Sequence, residues 1–380
     1  MKLRLVRVLA ALAATSLVTV GLVTSAAPPS YAAGESYVAL GDSYSSGTGT
    51  RTYINDGTEC LRSTYAYASL TAAAKGYTLN FRACSGAVVA DVSSTQVGAL
   101  SSSTRFVTIS VGGNDAGFAD VLTECALPAW ASDCAGAVAG ARTFIQSTLP
   151  GRLGTLYTAI RTRAPNAKVV VVGYPKIFMG EDCNIATFFS PEDEAALNNA
   201  VVLINSVTAS ASSAKGFTFV NPVSRFTGHA VCDSTEWING FSNPVRESYH
   251  PNRLGHSSGY LPLVSGVLTG TSVAATPAVT AAAQDDATRQ AALQRTYAEQ
   301  DRKITPKLFR PPTEERLREL AKERVSTTTP GERGRLGRLT PVGPWGGTAV
   351  TPLARWRRPP VPAAPDPPGR RGDGACTRRR

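Results

Sequence analysis

Only three histidines, His229, His250 and His256, occur in the 380 residues, so chemistry that needs an imidazole base has few places to sit. His250 stands in Glu247-Ser248-Tyr249-His250-Pro251-Asn252, just before a stretch of helical period. Ser43 stands in Gly41-Asp42-Ser43-Tyr44-Ser45-Ser46-Gly47, directly after a short apolar run. A hydroxyl becomes a useful nucleophile when a base can take its proton. A Ser at a strand-to-helix turn exposes its hydroxyl above the sheet edge, beside backbone N–H groups able to meet a developing negative charge. Ser43 is the candidate nucleophile and His250 its base. Ser85-Gly86 follows a second apolar run and Gly112-Gly113-Asn114-Asp115 a third. The Gly86 N–H and the Asn114 amide can converge above Ser43 as an oxyanion hole, because Gly allows close approach and Asn donates without charge. Taken singly these are turn and cap residues; their order, each at the end of an expected strand, links them.

The other two histidines read differently. His256, at the start of the last expected helix, is assigned to packing or capping. His229, three residues from Cys232, braces a loop or lines the cleft rim. Gly255-His256-Ser257-Ser258-Gly259 fits the G-x-S-x-G elbow of α/β-hydrolases, but that fold runs Ser, acid, His along the chain, and no His follows Ser257.

The elements that must position these groups alternate in period. Apolar runs at Tyr37–Leu40, Tyr77–Phe81, Phe106–Val111, Lys168–Val172 and Phe217–Val220 predict five strands. Helical periodicity covers Ser63–Lys75, Ala135–Ser147, Arg152–Ala164, Pro191–Lys215 and Arg253–Val267. Strands alternating with helices imply right-handed crossovers and a mostly parallel sheet covered on both faces, with working groups beyond the carboxyl ends of the strands. The expected fold class is α/β, with five strands in the sheet.

With 43 % apolar and 18 % charged residues the chain is neither wholly disordered nor a multi-span membrane protein. The net charge of +11 is a tail property: residues 1–280 hold 18 Lys+Arg against 17 Asp+Glu, and 281–380 hold 21 against 11. Nucleic-acid binding is therefore not expected. Residues 1–32 read as an export signal, with Lys2, Arg4 and Arg7 before an apolar run and Ser30-Tyr31-Ala32 at the cleavage site, so the mature protein is expected outside the cell. Of seven cysteines, six lie in the body, at 60, 84, 125, 134, 183 and 232, and Cys376 lies in the tail. Without C-x-x-C pairs, and with so few histidines, a zinc site lacks ligands, so three disulfides are expected, in a connectivity left open by spacing. No metal or cofactor is expected. Residues 33–270 make the expected catalytic domain, 271–325 a linker and weakly helical charged segment, and 326–380 an Arg/Pro/Gly-rich disordered tail. That tail holds 11 Arg, 10 Pro and 9 Gly, too little apolar surface to order itself. An out-of-frame stretch of GC-rich DNA and an electrostatic tether to anionic surfaces are the alternative readings of it.

The blocks G-D-S-Y-S-S-G at 41–47, A-C-S-G-A at 83–87, V-G-G-N-D at 111–115 and S-Y-H-P-N-R-L-G-H at 248–256 together resemble the SGNH or GDSL superfamily of hydrolases, and most closely its secreted actinobacterial lipases and esterases. The resemblance covers residues 34 to 270. It implies a flavodoxin-like three-layer α/β/α sandwich with a five-stranded parallel sheet, and a carboxylic-ester hydrolase acting on fatty acyl esters. In that pattern Ser43 attacks the ester carbonyl, His250 carries the proton, and the Ser43 N–H, Gly86 N–H and Asn114 amide hold the oxyanion. It also implies the bridges Cys60–Cys84, Cys125–Cys134 and Cys183–Cys232. One departure stands out: the superfamily usually has Asp three residues before the His, where this chain has Glu247. A backbone carbonyl, that of Ser248, is the preferred orienting group for His250, with the Glu247 carboxylate as the alternative. A phospholipase A or a glycan O-acetylesterase would use the same site, and a non-catalytic binder held by the basic tail is the reading from another class. The partners expected are an ester or lipid substrate and transient contact with a lipid interface, for a monomer. Ala116–Leu122, Ile177–Met179, Phe188 and Phe189 read by default as core, with the lining of an acyl groove as the alternative.

Overall fold

The computed structural model describes residues 34–327, of which those up to Glu323 belong to one compact unit. The expected export signal, Cys376 and the tail from residue 328 lie outside the described residues. Five strands form one sheet: β1 (Ser36–Gly41), β2 (Thr78–Phe81), β3 (Phe106–Ser110), β4 (Lys168–Val172) and β5 (Thr218–Val220). Their order is β2-β1-β3-β4-β5 and every pairing is parallel. Because β1, β3 and β4 are covered on both faces, they are near-continuous apolar runs rather than alternating ones. All five expected strands are present to within a residue or so at each end.

The long helices also lie where the period puts them. Tyr67–Lys75 starts four residues later than expected, since Arg62–Ala66 runs as turns. Pro191–Ser213 opens on a capping box, in which Ser190 accepts from the Asp193 N–H and Asp193 accepts from the Ser190 N–H, with Pro191 and three acidic residues in its first turn. Short helical segments at Val89–Asp91 and Phe118–Cys125, each just past a strand end, were not foreseen.

The disulfides are Cys60–Cys84, Cys125–Cys134 and Cys183–Cys232. The first pins the loop after Ser43 to the turn that carries Gly86, and the second joins the helices Phe118–Cys125 and Cys134–Ser147. Among the described residues no helix is long and apolar enough to cross a membrane.

The segment after 270 departs from its reading as a linker. Helix Pro277–Asp285 packs on Tyr67–Lys75, Ala287–Arg295 packs on the sheet edge formed by β2, and Ala298–Asp301 follows it. Arg289 and Gln290 both donate to the Leu79 carbonyl, at 3.0 and 2.9 Å, and Gln294 donates to Asn80 Oδ1. Ala283 adds an apolar contact with Leu70 and Leu261, and the docking ends on buried charge. The Asp301 carboxylate meets Arg62 Nη2 at 2.7 Å and Arg82 Nη2 at 2.8 Å, with no exposure on any of the three side chains. Asp56 holds Arg62 from the other side at 2.6 Å, and the Tyr297 ring lies 3.9 Å from the Arg82 guanidinium carbon. The last helix, Glu314–Thr327, is charged along its length, and its first ten residues are largely exposed.

Candidate active site

β1 delivers its chain into a turn that only glycine fits. Gly41 has φ +121°, and a Cβ there would lie 2.3 Å from the Ser110 carbonyl oxygen of β3. The next residue, Asp42, caps the four-residue helix Ser43–Ser46 by accepting the Tyr44 N–H at 3.0 Å. Ser43 is thus the first helical residue and not its cap, so its own N–H has no intrahelical acceptor. Ser45 accepts the Ser110 N–H and bonds Tyr67, while Gln96 both donates to and accepts from the Gly41 backbone. The turn is held from all sides.

His250 reaches the same point from the far end of the chain. Its Nε2 stands 2.9 Å from Ser43 Oγ and its Nδ1 stands 2.8 Å from the Ser248 carbonyl oxygen. Because a carbonyl only accepts, Nδ1 carries the proton and Nε2 is left with a lone pair facing the hydroxyl. The Tyr44 hydroxyl donates to the Tyr249 carbonyl at 2.7 Å, which ties the helix bearing Ser43 to the loop bearing His250.

Glu247 is turned elsewhere. It is buried, accepts from the Tyr53 hydroxyl at 2.6 Å and lies 3.5 Å from Arg51 Nε, so it anchors the loop after Ser43. A carboxylate that orients a catalytic imidazole costs about 10⁴-fold in kcat when made an amide. Glu247→Gln is therefore expected to change ester turnover by less than about tenfold, since the group removed is not the one facing Nδ1; a steady-state kcat several orders of magnitude lower would return the orienting role to the carboxylate.

Asn114 and Gly86 border the cleft with Ser43. One Asn114 Nδ2 hydrogen goes to the Ala87 carbonyl at 3.1 Å, which aims the amide and leaves its second hydrogen for a ligand. Asp115 accepts from the Val89 N–H and from Arg152, holding the loop beyond β3 against the segment that contains Gly86.

Burial drags the His250 imidazole down to about 4, against an upward pull from its bond to Ser248. Burial likewise raises Asp42 to about 7 even though the Tyr174 hydroxyl donates to it at 2.6 Å. The base works only when neutral, so activity falls as pH drops through the His250 pKa. The log of kcat/KM for an uncharged ester is expected to stay level into mildly acid solution and to bend near pH 4. A bend near neutrality that persists in Asp42→Asn would contradict this.

The other histidines lie away from Ser43. His256 is fully buried, accepts the Tyr67 N–H at 3.3 Å and stacks on the Tyr67 ring. His229 stacks on Trp237 at 3.7 Å and bonds the Thr235 carbonyl.

Beside Ser43 opens a cleft with an almost wholly apolar lining. Ala116, Phe118, Val121 and Ile177 line it, the alternative reading of those stretches. Met179 and Phe188 point outward instead, each 46 % exposed, and Phe189 packs on Phe178 and Tyr249. The residues sequence reasoning missed are Ala141 and Ile145 on one helix and Leu197, Ala200, Val201 and Ile204 on another. Their helices were legible, but which face opens onto a void was not. Tyr174, which joins Asp42 to the Gly113 N–H, carried no motif either.

The pattern of the GDSL-like Lipase/Acylhydrolase family matches residues 39–257. Lipase 1 of Streptomyces coelicolor is 46 % identical over 258 residues, covering 67 % of this chain and 94 % of that protein. A lipase of Streptomyces rimosus is 45 % identical over 231 residues, 60 % of this chain and 85 % of that one. Among solved structures, the extracellular lipase of S. rimosus aligns with a TM-score of 0.58 at 43 % identity, over 61 % of this chain and 99 % of that one. Phospholipase A1 of Streptomyces albidoflavus aligns with a TM-score of 0.59 at 42 % identity, over 62 % and 99 %. With the family pattern spanning more than half of the chain, and these relatives matched along most of their length, the chain belongs to the GDSL-like Lipase/Acylhydrolase family and is a carboxylic-ester hydrolase of the lipase and esterase type.

Proposed function

We propose that Ser43 and His250 act as a dyad on fatty acyl esters, through an acyl-enzyme on Ser43. The observation that carries this is the contact of 2.9 Å between Ser43 Oγ and His250 Nε2 at the mouth of the apolar cavity. The hydroxyl adds to the ester carbonyl while Nε2 takes its proton. The carbonyl oxygen becomes an oxyanion, met by the Ser43 N–H, the Gly86 N–H and the free Asn114 amide hydrogen. Collapse expels the alcohol, which receives the proton from Nε2. Water then enters, gives its proton to Nε2 and releases the fatty acid, restoring the hydroxyl. The Ser248 carbonyl keeps the ring in one tautomer but stabilises the imidazolium less than a carboxylate does.

The apolar lining of this cleft, Phe118, Val121, Ile145, Leu197 and Ile204 among others, supports an acyl chain of several carbons over acetyl, which would leave those side chains without an apolar partner. Likeness to a phospholipase A1 supports glycerophospholipid esters as a second substrate class for the same site. The disulfides, the extracellular relative and the export signal read from residues 1–32 support secretion.

A p-nitrophenyl alkylphosphonate tests the nucleophile. One equivalent of nitrophenol, with the phosphonyl mass on the Ser43 peptide, is the expected result; label on any other residue would overturn the assignment. Asn114→Ala is expected to lower kcat by about 10²–10³-fold with little change in KM, as removal of one oxyanion donor does elsewhere. Steady-state kinetics on a soluble ester checks it, and an effect confined to KM would exclude the role.

A further inference from the structure

A second, smaller cavity also borders Ser43. One wall is the reaction centre: Ser43, Gly86, Asn114 and His250. The opposite wall is Pro306, Lys307, Leu308 and Phe309, a strap lying beyond the residues the family pattern matches.

The strap is seated, not draped. A Cβ on Gly86 would lie 2.4 Å from Pro306 Cβ, so the proline ring rests directly on the glycine that borders the cleft. Phe309 is buried and meets Tyr249, the neighbour of His250, edge-on with ring centroids 5.0 Å apart. Phe241 flanks it from a second side, at 6.2 Å. Lys307 pairs with Asp120 at 2.5 Å, and the Arg310 N–H donates to Thr123, both on the helix Phe118–Cys125 that borders the two cavities. Upstream the strap is fixed by the buried Asp301 carboxylate.

Which half of an ester each cavity receives follows from the proton path. The leaving alcohol must take its proton from His250 Nε2, so it lies on the side of His250. His250 borders the smaller cavity and not the larger. The acyl chain therefore enters the large apolar cavity, and the alcohol faces the strap.

We propose that residues 304–310 are a specificity element that walls the alcohol side of the cleft, so that the intact chain favours esters of small alcohols over those whose alcohol carries further acyl chains. The inference rests on the proposed Ser43–His250 chemistry. With the strap seated on Gly86 and Tyr249, a diacylglycerol or lysophospholipid leaving group meets Pro306 and Phe309 where methanol or nitrophenol does not.

The test holds the acyl chain constant and varies the alcohol: methyl octanoate, p-nitrophenyl octanoate, trioctanoylglycerol and dioctanoyl phosphatidylcholine below its micellar concentration, each with the full-length chain. Phe309→Ala removes the buried anchor. Lys307→Glu, at an exposed side chain, sets two like charges against each other at Asp120 and loosens the strap without opening the core. In both variants the ratio of kcat/KM for the two bulky esters to that for methyl octanoate is expected to rise, by tenfold or more in Phe309→Ala and severalfold in Lys307→Glu. An unchanged or lower ratio in a variant with a native melting transition would overturn the proposal; should Phe309→Ala not fold, Lys307→Glu decides alone. Ser43→Ala, assayed in parallel, separates the two readings: turnover of methyl octanoate that survives it counts against the dyad, whatever the ratio does.

Discussion

Replacing Ser43 with Ala is expected to lower ester turnover by on the order of 10⁴–10⁶-fold, and His250→Ala by a similar factor. Both lose the same thing. Without the hydroxyl no acyl-enzyme forms, and without the imidazole, 2.9 Å away, the hydroxyl keeps its proton. The double variant should therefore be little worse than either single one, because members of one catalytic unit are not additive. The activity left over would come from the oxyanion donors and the apolar cavity acting on a water molecule. Ser43 opens a short helix whose packing rests on Asp42, Tyr44 and Ser45, so loss of its hydroxyl should leave the melting temperature nearly unchanged. Pre-steady-state assays give the sharpest reading: the burst of nitrophenol from a p-nitrophenyl ester should vanish. A Ser43→Ala protein retaining a tenth of the native rate would sink the assignment.

Asp301→Ala is expected to cost roughly 3–5 kcal/mol of stability, the usual range for leaving a buried charge without its partner. In a domain of this size that corresponds to a fall in melting temperature of about 6–20 °C. Two guanidinium groups converge on this one carboxylate, and neither Arg62 nor Arg82 has any exposed side-chain surface. With Asp301 gone, Asp56 still pairs Arg62, but Arg82 keeps only neutral partners, Gln294 and the Thr95 carbonyl. Burial already pulls the Arg82 pKa down and Asp301 pulls it back, so the loss falls mainly there. Salt should not restore the stability, since ions do not screen a dry pair as they do an exposed one. Urea titration of the two proteins measures the difference; a change under 1 kcal/mol would mean that water reaches Arg82.

The sheet and the four motif blocks could be read from the chain because both depend on local signals. The strands are β-branched runs between turn residues, and the motifs sit where each run stops. What could not be read involves partners far apart whose pairing no period reveals. The Ser248 carbonyl was already the preferred partner of His250, but that Tyr53, 194 residues from Glu247, takes the Glu247 carboxylate was not legible. The helices from 277 to 301 looked unpacked because the surface they bury is carried partly by Gln290, Gln294 and Asp301, which score as solvent-facing until Arg62 and Arg82 are placed opposite. The groove candidates were apolar stretches near the motif blocks, whereas the void beside Ser43 is completed by two helices whose inward faces, with Ala141 and Ile145 on one and Leu197 and Ala200 on the other, no motif marks.

β2 is an outer strand of the sheet, and its free side is occupied by the side chains of Arg289 and Gln290 on the Leu79 carbonyl and of Gln294 on Asn80. Sheet edges left bare invite pairing with another molecule. A chain cut before residue 277 would bare this margin together with Leu79, and its difficulty would be colloidal: strand-to-strand association, which light scattering of the shortened protein would register.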